Sequence, residues 1–157
     1  MDLGRFVASI GWVFEHSPWV AERVYASKPF ASIAALHGAM TSEVRRATRD
    51  EQIALLRAHP DLGARARMSD SSTAEQAGAG LDHLTPVQFR TLQRLNREYR
   101  ARFGFPFLFA VKGSTVDDIL AALEARRSTG YDHELDEALR QVSRIARFRL
   151  ESALEGA

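Results

Sequence analysis

One stretch decides the fold: Thr48-Arg49-Asp50-Glu51-Gln52-Ile53-Ala54-Leu55-Leu56-Arg57-Ala58-His59-Pro60. Thr48 followed three residues later by Glu51 has the pattern of a capping box, which begins a helix. An apolar run continues that helix, and Pro60 disfavours helical geometry at the residue before it. The helix should therefore end at His59, whose imidazole then projects from a helix end. Histidine suits proton transfer there because it titrates near neutral pH without perturbation.

A second capping pattern follows at Ser72 and Glu75. It predicts Ser72 as the N-cap of the next helix and Glu75 as its third residue. The first N–H groups of a helix lack intrahelical partners, and the helix dipole adds positive potential, so this end can bind an anionic group. Two interpretations stay open. Either His59 and Glu75 serve one site, or each only ends or caps its own helix.

Composition limits the classes of function. The chain has 157 residues, of which 45% are hydrophobic, and its net charge is +1. These values predict one domain over residues 1–157 and give no reason to expect a nucleic-acid or membrane partner. The absence of cysteine excludes disulfides and cysteine-ligated metals. We find no secretory signal and no apolar run of the ~20 residues that cross a bilayer, so a cytoplasmic protein is expected.

Helical periodicity covers most of the chain and predicts an all-α fold, a single compact domain of several helices. Further helix starts are predicted at Ser17-Pro18, at about residue 32, at Thr85-Pro86-Val87-Gln88 and at Ser114-Thr115. The last helix should run over about residues 132–154. The longest irregular segment is predicted at residues 59–72, and long loops in compact domains are often functional.

An aromatic run interrupts this pattern between Phe103 and Val111. Gly104 and Pro106 oppose a continuing helix, and the aromatic and β-branched content favours a short extended segment. An extended segment without a sheet needs other partners for its buried N–H and C=O groups. A planar polar ligand is one such partner, and helix ends or ordered water are the other.

Arg149 is the second feature that does not fit plain helix packing. With 3.6 residues per turn, it lies on the apolar face of the last helix, one turn after Ile145. An arginine there is costly unless it is paired and hydrogen-bonded. It can reach solvent, pair with an acid such as Glu75 or Glu134, or bind an anionic or urea-like ligand.

Several short motifs in order resemble one family over almost the whole chain. They are Phe14-Glu15-His16-Ser17-Pro18-Trp19, Ala58-His59-Pro60-Asp61-Leu62-Gly63, Ser72-Thr73-Ala74-Glu75-Gln76-Ala77-Gly78-Ala79-Gly80-Leu81, Leu95-Asn96-Arg97-Glu98-Tyr99, Phe103-Gly104-Phe105-Pro106-Phe107 and Ile145-Ala146-Arg147-Phe148-Arg149-Leu150. The family is 2-oxo-4-hydroxy-4-carboxy-5-ureidoimidazoline (OHCU) decarboxylase, of urate degradation. The resemblance implies an all-helical fold and a cofactor-free decarboxylation that yields (S)-allantoin.

The resemblance also implies roles for individual residues. His59 corresponds to the catalytic histidine and Glu75 to its acidic partner. The implied substrate-binding residues are Pro60, Ser72, Thr73, Ala74, Gln76, Phe107, Leu108, Phe109, Ala110, Val111 and Arg149. The partner is thus a small-molecule ureidoimidazoline, and related enzymes are compatible with a homodimer.

Other classes of function are weaker. The five histidines show no metal-ligand spacing, so no metal is expected. The arginines between Arg90 and Arg102 follow a solvated helix face rather than a nucleic-acid surface. The main alternative is a non-catalytic helical domain that keeps the fold and binds a ligand or a partner.

Overall fold

The structure, a computed structural model, describes residues 1–63 and 69–155. Within these residues there is no β-strand, and the predicted all-α class is confirmed. The helices are α1 (Leu3–Ile10), α2 (Trp19–Val24), α3 (Ile33–Arg46), α4 (Arg49–Arg57), α5 (Asp70–Gly78), α6 (Pro86–Phe103), α7 (Val116–Arg126) and α8 (Tyr131–Glu155). Short 3-10 turns follow α1 at Gly11–Val13 and α2 at Tyr25–Ser27.

Side-chain caps begin three of these helices as their sequences predict. The Thr48 hydroxyl accepts the Glu51 N–H of α4 at 3.1 Å, and the Glu51 carboxylate accepts the Thr48 N–H in return. Gln88 makes the same reciprocal pair with Thr85 at the start of α6. Asp118 does so with Thr115 at the start of α7. Each pair satisfies N–H groups that have no partner inside the helix.

Two predicted N-caps are wrong. α5 begins one turn earlier than expected, because the Ser69 hydroxyl accepts the Ser72 N–H at 3.2 Å. Ser72 is therefore the third residue of α5, and this earlier start places the acidic Asp70 in the first turn, where the helix dipole favours it. At α2 the N-cap is Pro18 and not Ser17, whose hydroxyl instead donates to the Glu15 carbonyl.

The chain divides into two compact units. The first comprises Met1–Ala58 and Val142–Ala157, and it contains α1 to α4 and the second half of α8. Here α2 packs against α3. The fully buried core of this unit includes Val13, Phe14, Val20, Met40, Val44, Leu56, Val142, Ala146 and Leu150.

The second unit is His59–Gln141, and it contains α5, α6, α7 and the first half of α8. α6 packs against α7, and an aromatic cluster forms the centre of the core. Tyr99 lies with its ring centroid 4.6 Å from Phe103, 6.0 Å from Phe105 and 5.4 Å from Phe107. The single domain predicted over residues 1–157 stays a prediction beside this division.

The aromatic segment lies outside the helices, as predicted. α6 ends at Phe103, and its C-cap Gly104 has a φ of +80°, a left-handed conformation that glycine adopts without strain. Residues 106–111 then form neither helix nor strand. Of the helices in the described ranges, none is both long and apolar enough to cross a membrane.

Candidate active site

His59 opens the second unit, directly after the end of α4. α4 ends at Arg57 with Ala58 as its C-cap, so His59 leaves the helix before Pro60 as the sequence predicts. The His59 side chain is buried, with 4% of its surface exposed, and Pro60 is half-buried. An imidazole in this environment is shielded from bulk water, which strengthens its electrostatic interactions with any group beside it.

Three side chains from α5 and α6 hold the residues after His59, two of them through the backbone and one through a side chain. Asn96 donates from Nδ2 to the Leu62 carbonyl at 3.0 Å, and the Gly63 N–H donates to Gln76 Oε1 at 2.8 Å. Arg100 binds the Asp61 carboxylate at 3.1 Å. These contacts position the short segment His59–Gly63, which we call the histidine loop.

Gly63 is required where the histidine loop meets α6. Its φ is +71°, and a Cβ atom at this position would lie 2.5 Å from Leu92 Cδ2. Both the backbone conformation and the space therefore exclude a larger residue without a shift. Residues 64–68 of the irregular segment predicted at 59–72 lie outside the described residues.

α5 presents two residues of the predicted binding stretch 72–76 to the interior. Ser72 and Gln76 are buried, and Glu75 is half-buried. Thr73 and Ala74 are exposed, as expected because residues four apart share a helix face and those between do not. Glu75 is the sixth residue of α5. The helix N-terminus therefore does not account for its placement, contrary to the prediction from spacing.

The second predicted binding segment, Phe107–Val111, is held by side chains of α7 and α8. Arg126 Nη1 donates to the Leu108 carbonyl at 2.7 Å, and the Ala110 N–H donates to Gln141 Oε1 at 3.0 Å. Two backbone groups of this segment thus have side-chain partners within the protein. Sequence reasoning considered only a ligand, helix ends or water as their partners.

α6 contacts both the histidine loop and the segment Phe107–Val111. Asn96 contacts the histidine loop, and Tyr99 packs edge-on against Phe107. These residues are three apart, which is about 4.5 Å along the helix axis. One buried face of α6 therefore contacts both predicted segments within a single turn.

Arg149 lies in the first unit and is buried, as its place on the apolar face predicts. Its Nη2 binds Glu15 Oε2 at 2.9 Å, and Nη1 lies 3.4 Å and 3.5 Å from the carbonyls of Val13 and Trp12. Glu15 is an acidic partner that the sequence did not suggest, and Glu134, one of the acids it did suggest, binds Arg126. Glu15 lies between helices, where no periodicity reveals the direction of a side chain.

Sequence reasoning missed the polar side chains that support the segments, Asn96, Arg126 and Gln141. A signal for Gln141 was present, because Glu134, Gln141 and Arg149 recur at spacings of seven and eight along the apolar face of α8. All three are buried. Arg149 was singled out as a polar residue on the apolar face of the last helix, and the same criterion also identifies Glu134 and Gln141.

The buried acid of the second unit, Glu134, has three partners. Its carboxylate accepts from the Tyr99 hydroxyl at 2.8 Å, from Arg126 Nε at 2.6 Å and from the Thr129 hydroxyl at 2.7 Å. Burial, reinforced by the bond to Glu134, raises the pKa of the Tyr99 hydroxyl far above its ordinary value. The side chains of residues 1–63 and 69–155 form no group of three acids or histidines suited to a metal ion.

Comparison with known proteins covers nearly the whole chain. A family model described as OHCU decarboxylase matches residues 1–151. The chain is 51% identical over 150 residues to 2-oxo-4-hydroxy-4-carboxy-5-ureidoimidazoline decarboxylase of Haloferax volcanii, which covers 96% of this chain and 89% of that protein. It is 45% identical to the uric acid degradation bifunctional protein of Bacillus subtilis over 96% of this chain and 30% of that protein.

A solved structure agrees in fold. The crystal structure of an (S)-allantoin synthase aligns with a TM-score of 0.80 at 31% sequence identity. The alignment covers 98% of this chain and 51% of that one. The helical architecture described above is therefore shared with a structure of known activity.

Proposed function

This chain belongs to the OHCU decarboxylase family, and from this premise we propose that His59 is the acid–base group of its reaction. The protein is a carboxy-lyase that converts 2-oxo-4-hydroxy-4-carboxy-5-ureidoimidazoline to (S)-allantoin in urate degradation. The observation that carries the role of His59 is its burial, with 4% exposure, at the head of a loop held by Asn96 and Gln76.

The chemistry of the substrate makes an acid–base residue sufficient for the proposed step. Breaking the bond between the ring carbon and the carboxylate releases CO2 and leaves an electron pair on that carbon. The neighbouring ring C=N bond accepts this pair, and a proton must then be delivered to one face of the ring. We propose that His59 exchanges a proton with the substrate hydroxyl or the developing carbanion. Such help typically contributes ~10²–10⁴-fold to the rate.

Glu75 is proposed as the acidic partner of this histidine. It lies half-buried on α5, next in sequence to Gln76, whose side chain holds the histidine loop at Gly63. A carboxylate beside an imidazole orients the ring and stabilises its protonated form. The proposed role is to orient His59 or to share its proton.

The remaining proposed residues bind substrate. Pro60 lines the space beside His59, and the stretch 72–76 contributes Ser72, Thr73, Ala74 and Gln76. The segment Phe107–Val111 contributes backbone groups, which match the ureido and ring amide groups because both present N–H donors and C=O acceptors. Arg149 is proposed to bind a carboxylate or carbonyl of the substrate, for which a guanidinium fork is suited.

A coupled assay tests the proposal. Urate is converted with urate oxidase and hydroxyisourate hydrolase, and circular dichroism follows the appearance of optically active allantoin. We expect His59→Ala and Glu75→Ala to lower kcat by ~10²–10⁴-fold with unchanged helical content. His83→Ala is the matched control, because His83 is an exposed histidine of the same unit.

The outcomes separate the enzyme from the alternative of a non-catalytic helical domain. Near-normal turnover in both His59→Ala and Glu75→Ala would overturn the site assignment. A wild-type rate no faster than the slow racemic background would instead favour a domain that keeps the fold for another ligand.

Assembly and location stay predictions. We propose a homodimer on the resemblance alone, and light scattering of the purified protein tests it. We also propose a cytoplasmic location, and cell fractionation tests it.

A further inference from the structure

The segment Phe107–Val111 is attached to a buried polar network rather than to a sheet. The centre of this network is Glu134, which is fully buried and binds Tyr99, Arg126 and Thr129. These partners come from α6, from the end of α7 and from the turn after it. The network therefore joins three parts of the second unit at one carboxylate.

Arg126 connects this network to the segment Phe107–Val111. Its Nε binds Glu134 at 2.6 Å, while its Nη1 binds the Leu108 carbonyl at 2.7 Å. The guanidinium carbon also lies 4.6 Å from the centroid of the Phe107 ring, a cation–π distance. Because the guanidinium is rigid and planar, fixing Nε on Glu134 also fixes the direction of Nη1 toward Leu108.

Gln141 makes a second attachment two residues later. Its Oε1 accepts the Ala110 N–H at 3.0 Å, while its Nε2 donates to Glu137 at 2.8 Å on the preceding turn of α8. Gln141 is buried, so this amide has little access to water as an alternative partner. The segment is thus held through one carbonyl and one N–H, by side chains from two different helices.

We infer that Arg126 and Gln141 are positioning residues that fix the backbone of Phe107–Val111 in the conformation that binds the ureidoimidazoline. This inference rests on the proposed function, because it takes that segment as a substrate contact. A segment without helical or strand hydrogen bonds loses conformational freedom on binding unless it is ordered beforehand. The two side chains supply that order while taking no part in bond breaking.

The test is a comparison of KM with kcat in conservative variants. Arg126→Lys keeps the charge but cannot bind Glu134 and Leu108 through one rigid fork. Gln141→Leu removes the acceptor of the Ala110 N–H. The double variant Gln141→Glu with Glu137→Gln keeps this acceptor and reverses the bond between the two side chains, so that no two carboxylates face each other. We expect KM to rise roughly tenfold in Arg126→Lys and Gln141→Leu, as for loss of one hydrogen bond. Because these contacts contribute to binding and not to the chemical step, kcat should stay within about twofold.

Arg127→Lys is the matched control for Arg126. It is the next residue in the chain, and it binds the surface acids Glu98 and Glu124 instead of the segment. Its KM should equal that of the wild type. The double variant Gln141→Glu with Glu137→Gln should restore most of the affinity lost in Gln141→Leu.

Hydrogen exchange provides a readout without turnover. The Ala110 amide should exchange faster in Gln141→Leu than in the wild type, and the double variant Gln141→Glu with Glu137→Gln should restore its protection. If Arg126→Lys does not fold, the Gln141 variants decide the question.

Two results would overturn the inference while leaving the proposed function intact. One is an unchanged KM in Gln141→Leu and in folded Arg126→Lys. The other is a fall in kcat at constant KM. Failure of the proposed function looks different, because His59→Ala would then remain active whatever the Arg126 and Gln141 variants do.

Discussion

Among the described residues, two arginine–glutamate pairs have an almost completely buried carboxylate, one in each compact unit. Arg126 binds Glu134 in the second unit, and Arg149 binds Glu15 in the first. Both glutamates are almost completely buried, and both arginines also approach backbone carbonyls. In each case a cation on an α-helix is brought to backbone carbonyls that lie outside the α-helices.

The pairs differ in how firmly the arginine holds that segment. Arg126 Nη1 lies 2.7 Å from the Leu108 carbonyl, a short hydrogen bond. Arg149 Nη1 lies 3.4 Å from the Val13 carbonyl, near the limit of such a bond. A ligand can replace a long contact with little loss. The comparison therefore suggests a supporting role for Arg126 and agrees with the proposed substrate-binding role of Arg149.

Removing either glutamate should produce the largest effect. Glu134→Ala and Glu15→Ala each remove a buried carboxylate from its ion pair, and breaking a buried pair in this way typically destabilises a protein by about 3–5 kcal/mol. Urea unfolding followed by circular dichroism measures the change. A loss below about 1 kcal/mol, the range of surface pairs, would show that the pair concerned is not a buried pair in solution.

Replacing both partners by leucine sharpens the comparison. Glu15→Leu with Arg149→Leu should recover most of the stability, because an apolar pair often substitutes for a buried ion pair. Glu134→Leu with Arg126→Leu should recover less. It also deprives the Tyr99 hydroxyl and the Leu108 carbonyl of their partners, each at a cost of about 1–3 kcal/mol. Equal recovery of stability in both double variants would contradict the supporting role that distinguishes Arg126 from Arg149.

Substitution of the two arginines should affect catalysis in the opposite order, with the larger loss of kcat/KM at Arg149. Arg149→Lys loses the guanidinium fork proposed to bind substrate, and we expect kcat/KM to fall by ~10²-fold, as for loss of one preorganised donor. The fall expected for Arg126→Lys is about tenfold and arises from KM. Steady-state kinetics of the two variants side by side test this order, and a larger loss in Arg126→Lys would reverse our assignment.

The alkaline limit of stability tests the network around Glu134. Burial and the bond to Glu134 raise the pKa of Tyr99 far above about 10, its value in an unfolded chain. Above pH 10 the unfolded chain therefore releases a proton that the folded protein keeps. The free energy of unfolding should consequently fall as pH rises, by about 1.4 kcal/mol per pH unit for this one group.

Tyr99→Phe isolates that contribution. Its stability below pH 10 should be lower, because the hydroxyl bond to Glu134 is lost. Above pH 10 its free energy of unfolding should fall less steeply with pH, because the proton that Tyr99 contributes is absent. Urea midpoints between pH 8 and pH 11 measure both changes, and parallel curves for the two proteins would mean that Tyr99 is not the group concerned.

The smallest effect is expected at the surface. Arg127→Gln removes two exposed ion pairs, with Glu98 and Glu124, next in sequence to Arg126, whose carboxylate partner is buried. Solvent screens such pairs, so the melting temperature should stay close to that of the wild type. A shift comparable to that of Glu134→Ala would show that burial does not distinguish the two neighbours.

Local sequence patterns predicted the start of a helix correctly where no second capping residue lies nearby. Thr48, Thr85 and Thr115 each face an acceptor three residues later, and each forms the reciprocal pair. The prediction was wrong at Ser72, because a second serine, Ser69, lies three residues before it in the chain. Ser69 caps α5 instead, and local spacing cannot choose between two overlapping caps.

The amino-acid sequence by itself determined the helices, the exit of His59 before Pro60, the irregular aromatic segment and the burial of Arg149. These features depend on neighbours within about four residues or on which face of a helix a residue occupies. Only the tertiary structure decided that Arg149 binds Glu15, that Arg126 and Gln141 hold the segment Phe107–Val111, and that Asn96 holds the histidine loop. Those partners are 18 to 134 residues apart, and pairing at such separations depends on how helices pack rather than on any local periodicity.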